Sequence, residues 1–266
     1  MIKSLTQVLQ MGSEASQQLK RVFKHGIVFD RILCTDQIIL DSSFEDWHEY
    51  TTELIYKIID ETHDEYKLPV IWRTCNQRLA DNKLIFYHNS VVTTRWKNEY
   101  CLKMIDEHDL VYDYTYDFTY LGGKLTDRPD KIQMLSRLYR EKLLDNALWS
   151  GGSYTPTKND PQMPDLPKIL DWDKDIKGVH SHESGTCSIP LNFYLNSRFS
   201  VVQETEMTTR SNRYTEKTVK CFFVKQPFIL AGNWQTLQLL QRDGFKTFHP
   251  YIDESYDQVK NTSKRI

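Results

Sequence analysis

The chain has 266 residues, enough for one large domain or for two domains of about 100 to 150 residues each. Hydrophobic residues make up 39% and charged residues 26% of the sequence, a balance that argues against an intrinsically disordered protein. The formal net charge of −2 provides no global field that would attract nucleic acid or a membrane surface.

The five cysteines are widely spread and form no C-x-x-C pair, a pattern typical of free thiols in a reducing compartment. No run of about 18 apolar residues indicates a transmembrane helix. The first residues lack the apolar core and cleavage site of a signal peptide. We therefore expect a soluble, cytoplasmic protein without a membrane partner.

Apolar runs and helical spacing predict alternating strands and helices in the first half of the chain. The predicted elements are helix 2–23, strands 27–29 and 38–40, an amphipathic helix 44–65, strands 68–72 and 84–87, and helix 96–107. Alternation of this kind favours an α/β fold.

The second half repeats the alternation. Its predicted elements are strand 118–121, a helix from Thr126-Asp127-Arg128-Pro129 to about 144 with Ile132, Leu135, Leu138 and Leu143 on its apolar face, strand 199–202, helix 215–225, strand 228–231 and helix 234–242. We expect two α/β lobes that meet near residues 113–121, with lobe boundaries at 1–117 and 118–266.

Residues 213–217 (RYTEK) bring charged and hydroxyl groups together at a predicted helix start. The Thr215 hydroxyl can cap free N–H groups, and Lys217 would lie in the first turn, where an anion such as a diphosphate is stabilised. Glu216 could accept two hydroxyl groups of a ribose, and Arg213 could add a charge-assisted bond to phosphate. The alternative is a plain helix cap followed by a first-turn acid.

A second basic segment follows the strand predicted at 118–121. Gly122-Gly123-Lys124 is a glycine turn with a cation, and Arg128 and Lys131 stand at the next helix start, so backbone and bases could approach a phosphate. The segment matches neither G-x-G-x-x-G nor the Walker motif. An ordinary loop is the alternative interpretation.

Two short segments contain residue types that ligate metals, His180-Ser181-His182-Glu183 and Asp171-Trp172-Asp173. Neither has a partner cluster that would set a coordination geometry. We therefore predict no metal site.

The segment NSRFSVVQETEMTTRSNRYTEKTVKCFFVKQPFILAGN (196–233) resembles the donor-binding segment of glycosyltransferases of the GT-B class, in particular the fucosyltransferases and their relatives. The matching residues are a strand ending in an acid, Glu204, followed by the helix start Tyr214-Thr215-Glu216-Lys217. The stretches GFKTFHPYIDESYDQV and GGKLTDRPDKIQMLSRLYREKLLDNALWS also resemble phage and environmental glycosyltransferase-like proteins. The resemblance covers roughly residues 118–260.

This resemblance implies two Rossmann-like lobes with a cleft between them, and transfer of a sugar from a nucleotide-diphosphate donor to a hydroxyl acceptor. It assigns the ribose to Glu216 and the diphosphate to Lys217 and Arg213, with Lys124 and Arg128 facing the same cleft. Fixed cations and helix N–H groups would stabilise the leaving diphosphate, so we expect no metal ion or other cofactor.

The acceptor is left open among a glycan, a small molecule and a modified DNA base. The residue that would act as the base on the acceptor hydroxyl is also unassigned, since Asp36, Asp41 and His88 are equally eligible.

The sequence allows two alternative functions. They are a non-catalytic nucleotide- or carbohydrate-binding protein, and a nucleotide-sugar epimerase that releases nucleotide without any acceptor.

Overall fold

The computed structural model describes residues 18–25, 27–34, 36–42, 51–88, 110–122, 125, 128–151, 189, 191–207 and 210–265. They form an α/β protein, as predicted, with two sheets. The chain divides into two compact units, Met1–Ser90 and Val91–Ile266. The functional division into an acceptor-side lobe (1–117) and a donor-binding lobe (118–266) stays a prediction.

The first unit contains a five-stranded mixed sheet in the order β1-β2-β3-β4-β5. Its strands are β1 (Gln18–Lys24), β2 (Ile27–Leu33), β3 (Ile38–Asp41), β4 (Val70–Thr74) and β5 (Ile85–Tyr87). Strand β2 is antiparallel to its neighbours β1 and β3, and β3, β4 and β5 run parallel. Helix α1 (Thr52–Tyr66) makes the crossover from β3 to β4.

Alternate residues of these strands face α1 and build the core of the first unit. Leu40 and Trp72 are register partners on this face, and they pack in one apolar cluster with Ile55 and Ile58 of α1. Thr51 is the N-cap of this helix, and its hydroxyl accepts a hydrogen bond from the Leu54 N–H at 3.2 Å. Because Thr51 has an extended backbone, the helix predicted at 44–65 does not run through this residue. The spacing predicted an apolar face that includes Ile55, Ile58 and Ile59, and all three are buried.

The helix predicted at 2–23 is wrong for its described part, because Gln18–Lys24 is strand β1. Every residue of β1 pairs with β2, and His25, at φ 51°, lies in the tight connection between the two strands. Pairing in a hairpin satisfies the backbone groups of this segment through a long row of bonds, and this outweighs weak local helical patterning.

The second unit contains a four-stranded sheet in the order β7-β6-β8-β9, with every neighbouring pair parallel. Its strands are β6 (Tyr116–Leu121), β7 (Ala147–Ser150), β8 (Ser197–Gln203) and β9 (Phe228–Ala231). The described helices are α2 (Pro129–Arg140), α3 (Leu191–Leu195), α4 (Glu216–Phe223), α5 (Thr236–Arg242) and α6 (Thr262–Arg265), with a 3-10 helix at Ser255–Gln258.

Helices cover both faces of this sheet. Ile132 and Leu135 of α2 pack in one cluster with Tyr120 and Val201, which are register partners on one face. On the other face, Ser200 lies within hydrogen-bond reach of Cys221 in α4. Parallel strands with helices on both faces form a doubly wound sheet.

Helix α2 is shorter than predicted and ends at Arg140. Lys142 adopts φ 57°, its N–H donates to the Tyr139 carbonyl at 3.0 Å, and the Leu143 N–H donates to the Leu138 carbonyl at 2.9 Å. Bonds of this kind terminate helices, usually around a glycine, but here a lysine occupies the left-handed position and leaves no sequence signal. Leu143 is consequently 52% exposed instead of lying on the apolar face.

Strand β7 follows the turn at Lys142 and was not predicted.

Among the described residues, no helix is long and apolar enough to cross a membrane.

Candidate functional site

The order of the parallel strands in the second sheet defines a topological switch point. From β6 the chain crosses through α2 to β7 on one side, and from β8 it crosses through α4 to β9 on the other side. The neighbours β6 and β8 therefore flank the place where the winding reverses. In open α/β sheets, ligands bind outside the carboxyl ends of the strands at such a point.

Glu204, the first residue after β8, lies at this edge and is 1% exposed. Its carboxylate accepts hydrogen bonds from the Thr215 N–H at 2.8 Å, the Thr215 hydroxyl at 2.6 Å and the Thr218 hydroxyl at 2.6 Å. Hydrogen bonds to a charged acceptor are among the strongest in proteins. Glu204 therefore ties the end of β8 to the start of α4.

The start of α4 is built as the sequence predicted, with Thr215 as its N-cap in extended conformation. The Thr215 hydroxyl accepts from the Lys217 N–H at 3.5 Å. The negative group next to this helix start is the carboxylate of Glu204, which already accepts the Thr215 N–H. A bound diphosphate would therefore rely on side-chain cations more than on these backbone groups.

Lys217 lies at the same edge of the sheet and forms an ion pair with Glu216, with an Nζ–Oε1 distance of 3.0 Å. Its ammonium group also donates to the Thr205 hydroxyl at 2.9 Å and to the Thr215 hydroxyl at 3.3 Å. Burial alone would raise the pKa of Glu216, but Lys217, Lys220 and hydrogen bonds outweigh burial and lower it to about 2. Glu216 is therefore an anion at neutral pH, with a cation held beside it.

Lys131, in the first turn of α2, brings a further cation to this edge. Its ammonium group donates to the carbonyl of Gly122, directly after β6, at 2.9 Å, and the residue is 5% exposed. Burial, together with the nearby charges of Lys217 and Arg128, lowers the pKa of Lys131 to about 7, although Glu204 and Glu216 act in the opposite direction. The ends of β6 and β8 thus share one electrostatic environment.

Gly122, whose carbonyl accepts the Lys131 hydrogen bond, packs closely against neighbouring residues. Its N–H donates to the Ser150 carbonyl at the end of β7 at 2.8 Å. A Cβ atom at position 122 would lie 3.0 Å from the Tyr120 hydroxyl and 3.2 Å from the Ser150 carbonyl oxygen. Glycine therefore allows the strand end that holds Lys131 to pack against its neighbours.

Arg128 occupies the N-cap position of α2 without a side-chain capping bond, and Pro129 follows it at the first helical position. Its charge acts on Lys131, which places it near the same edge. Lys124, also predicted here, lies outside the described residues.

Two predicted ligand residues are engaged within the fold. Arg213 forms a buried ion pair with Glu206, the Nη2–Oε1 distance being 2.8 Å. Tyr214 is buried, and its hydroxyl donates to the Asp243 carboxylate at 2.9 Å. Both residues thereby link the loop before α4 to surrounding elements.

The sequence placed Glu204 and residues 215–217 at one site, and the structure brings them together. It gave no role to Thr218, although a hydroxyl three residues after the N-cap faces the same direction as the capping residue on a helix. It also noted Lys131 only as a base near a helix start. Burial of that lysine could not be inferred because it depends on packing between α2 and the strand ends.

The proposed metal-ligating segments at 171–173 and 180–183 lie outside the described residues. In the described part of the chain, no group of three or more His, Cys, Asp or Glu residues could hold a metal ion.

The three candidate bases belong to the first unit. Asp41 is buried and forms an ion pair with Arg73, while burial and the Arg73 charge lower the pKa of His88. Asp36 lies in a bend before β3. Asp41 is therefore a partner of Arg73. The three residues stay equally eligible as the predicted base.

Comparison of the chain with known protein families, with curated proteins and with solved structures finds no match.

Proposed function

We propose that this protein is a glycosyltransferase that binds a nucleotide-diphosphate sugar at the carboxyl edge of β6 and β8 and moves the sugar to a hydroxyl acceptor. The observation that carries the proposal is the convergence of Lys217, Lys131 and Arg128 at the topological switch point of a parallel sheet. Three cations at this position fit a ligand with two adjacent negative charges.

The chemistry of sugar transfer suits such a site. Negative charge develops on the diphosphate as the bond to the sugar breaks, and cations fixed in a partly buried site stabilise that charge without reorganising. Lys217 is already oriented by Thr205, Thr215 and Glu216, so little side-chain freedom is lost when it binds phosphate.

Glu216 supplies the anionic acceptor in this proposal. Its low pKa, about 2, keeps the carboxylate ionised, and an ionised carboxylate can accept hydrogen bonds from two ribose hydroxyls. Lys217 would then be shared between Glu216 and the diphosphate, which links recognition of the nucleoside to recognition of the phosphates.

The remaining parts of the proposal follow from the sequence resemblance. They are a GT-B arrangement of two Rossmann-like lobes, an acceptor that is a glycan, a small molecule or a modified DNA base, and catalysis without a metal cofactor. A cytoplasmic location is proposed from the pattern of the cysteines.

Donor binding is tested first. Calorimetry with UDP, GDP, their glycosylated forms and the matching monophosphates should detect binding of at least one diphosphate, with the monophosphate weaker. Lys217→Met should weaken this binding about tenfold or more, because a charge-assisted bond to phosphate is lost. The matched control is Lys57→Met, which removes an exposed lysine from α1 in the first unit and should leave binding unchanged.

Turnover then separates the functions. Transfer to an acceptor, or slow hydrolysis of the bound donor, supports the transferase. Binding without turnover supports a non-catalytic binding protein, and release of nucleotide with an inverted sugar supports an epimerase. The absence of binding by every diphosphate tested would remove the proposal.

A further inference from the structure

The described residues include three deeply buried basic side chains, those of Lys131, Lys220 and Arg265. The hydrogen-bond partners of Arg265 and Lys131 differ sharply. The Arg265 guanidinium, 7% exposed, donates to the carbonyls of Val259, Lys260 and Met207. The Lys131 ammonium, 5% exposed, has three hydrogens but, within the described residues, a single hydrogen bond, to Gly122. Arg265 thus donates several hydrogen bonds to backbone carbonyls, whereas Lys131 donates one and retains two hydrogens.

The charged residues that act on Lys131 belong to three structural elements. Arg128 precedes it on α2, Glu204 lies at the end of β8, and Glu216 and Lys217 lie on α4. The two acids are used elsewhere, since Glu204 accepts from Thr215 and Thr218, and Glu216 pairs with Lys217. In the described part of the chain, neither acid forms an ion pair with Lys131.

A buried ammonium with spare donors is unfavourable in the free protein, chiefly because burial removes it from water. A phosphate group at the same edge would accept the spare hydrogens and balance the charge of the ammonium. The same geometry would stabilise no neutral ligand in this way. The arrangement therefore indicates an anionic ligand of high charge density.

We propose that Lys131 is itself a phosphate ligand of this site, and that binding of a diphosphate is coupled to uptake of a proton by its amine. The inference deepens the proposed function and rests on it for the identity of the site. It adds a direct contact by a buried lysine, and proton uptake, to a site for which the sequence had already predicted Arg128 at the start of α2.

The direction of the proton movement follows from the charges. Burial, together with Lys217 and Arg128, lowers the pKa of Lys131 to about 7 in the free protein, so near pH 7 the amine is charged in roughly half of the molecules. A phosphate nearby stabilises the charged form and raises the pKa again. Binding must then take up a proton, and affinity must fall as the pH rises above 7.

The experiment is calorimetric titration of the full chain with inorganic pyrophosphate near pH 7, in two buffers that differ in ionisation enthalpy. The protons taken up are compared between the parent protein and Lys131→Met, because protonation of pyrophosphate itself is common to both and cancels. We expect the parent to take up roughly half a proton more than the variant. We also expect the variant to bind about tenfold or more weakly.

Two further variants separate a phosphate contact from a purely structural role. Lys131→Arg keeps a cation that does not titrate near neutral pH, and should bind pyrophosphate without the additional proton uptake. Lys57→Met, the exposed control, should match the parent in affinity and in proton uptake. Replacing a buried amine with the apolar methionine side chain removes a desolvation cost, so the variant is expected to fold.

The possible outcomes are distinct. Pyrophosphate binding with equal proton uptake in the parent and Lys131→Met overturns the inference while the proposed function stands. Lys131-dependent uptake without selectivity for any nucleotide supports the inference and contradicts the proposed function. If the parent binds neither pyrophosphate nor any nucleoside diphosphate, both fail.

Discussion

Two buried charged residues at the edge of the second sheet serve opposite purposes. Glu204 has a full set of hydrogen-bond donors and fixes the start of α4. Lys131 has one acceptor and retains donors. A buried charge is tolerated when its partners are complete, so Glu204 contributes to stability and Lys131 lowers it unless a ligand is bound.

The role assigned to Glu204 predicts the effect of replacing it with glutamine. An amide keeps the size of the side chain but loses its charge and one acceptor oxygen, leaving Thr215 and Thr218 with weaker bonds. We expect the free energy of unfolding to fall by about 1.5–3 kcal/mol, the range for hydrogen bonds to charged groups. Urea denaturation monitored by circular dichroism measures this loss.

A matched control for this substitution is Glu141→Gln, at an exposed position after α2. It should change the unfolding free energy by less than about 0.5 kcal/mol. An equally small effect at Glu204 would show that its hydrogen bonds do not hold the helix start in place.

Among the secondary-structure elements, the start of α4 was easier to predict than the end of α2. Thr215 carries a side chain that caps helices, and it caps α4 as expected. The end of α2 depends on Lys142 adopting a left-handed conformation, which lysine rarely does and which no residue type signals. Hence four residues beyond Arg140 were assigned to a helix that had already ended.

Leucine-to-alanine substitutions can test this revised helix end. Leu135 is fully buried against β6, so its replacement should lower the free energy of unfolding by about 2–5 kcal/mol. Leu143 was predicted to share the same apolar face, but it is 52% exposed. Its replacement should cost less than about 1 kcal/mol.

Denaturation of the two alanine variants under identical conditions measures the difference. Similar losses would mean that Leu143 is packed in solution as the amphipathic pattern predicted, and that the helix continues beyond Arg140.

For the whole molecule, local patterns predicted the α/β class and several strands but not the order of the strands. Residues 118–121, 199–202 and 228–231 each read as a buried strand because their apolar runs are local. The position of β6 between β7 and β8 depends on contacts between distant segments. That order places Lys131 beside Lys217, so the most informative feature of the candidate site was not visible in the sequence.

Titration of buried groups also makes the stability of the molecule depend on pH. The pKa of Lys131 is lowered from its ordinary value of 10.5 to about 7 in the folded chain. Between these values the unfolded chain binds more protons than the folded chain, so the contribution of this residue to stability rises with pH. It is complete above the unfolded pKa and is lost progressively as the pH falls to about 7.

The difference in unfolding free energy between the parent protein and Lys131→Met isolates this contribution, because every other titrating group is common to both. We expect Lys131→Met to be the more stable protein near pH 7. The parent should recover towards pH 10 with a slope of up to about 1.4 kcal/mol per pH unit. Urea denaturation across this range measures the slope. The buffers must be free of phosphate, because a bound anion would mask the cost of burying the amine. A constant difference would mean that Lys131 keeps the same protonation state in the folded and unfolded chains, and the basis for coupling phosphate binding to proton uptake would be lost.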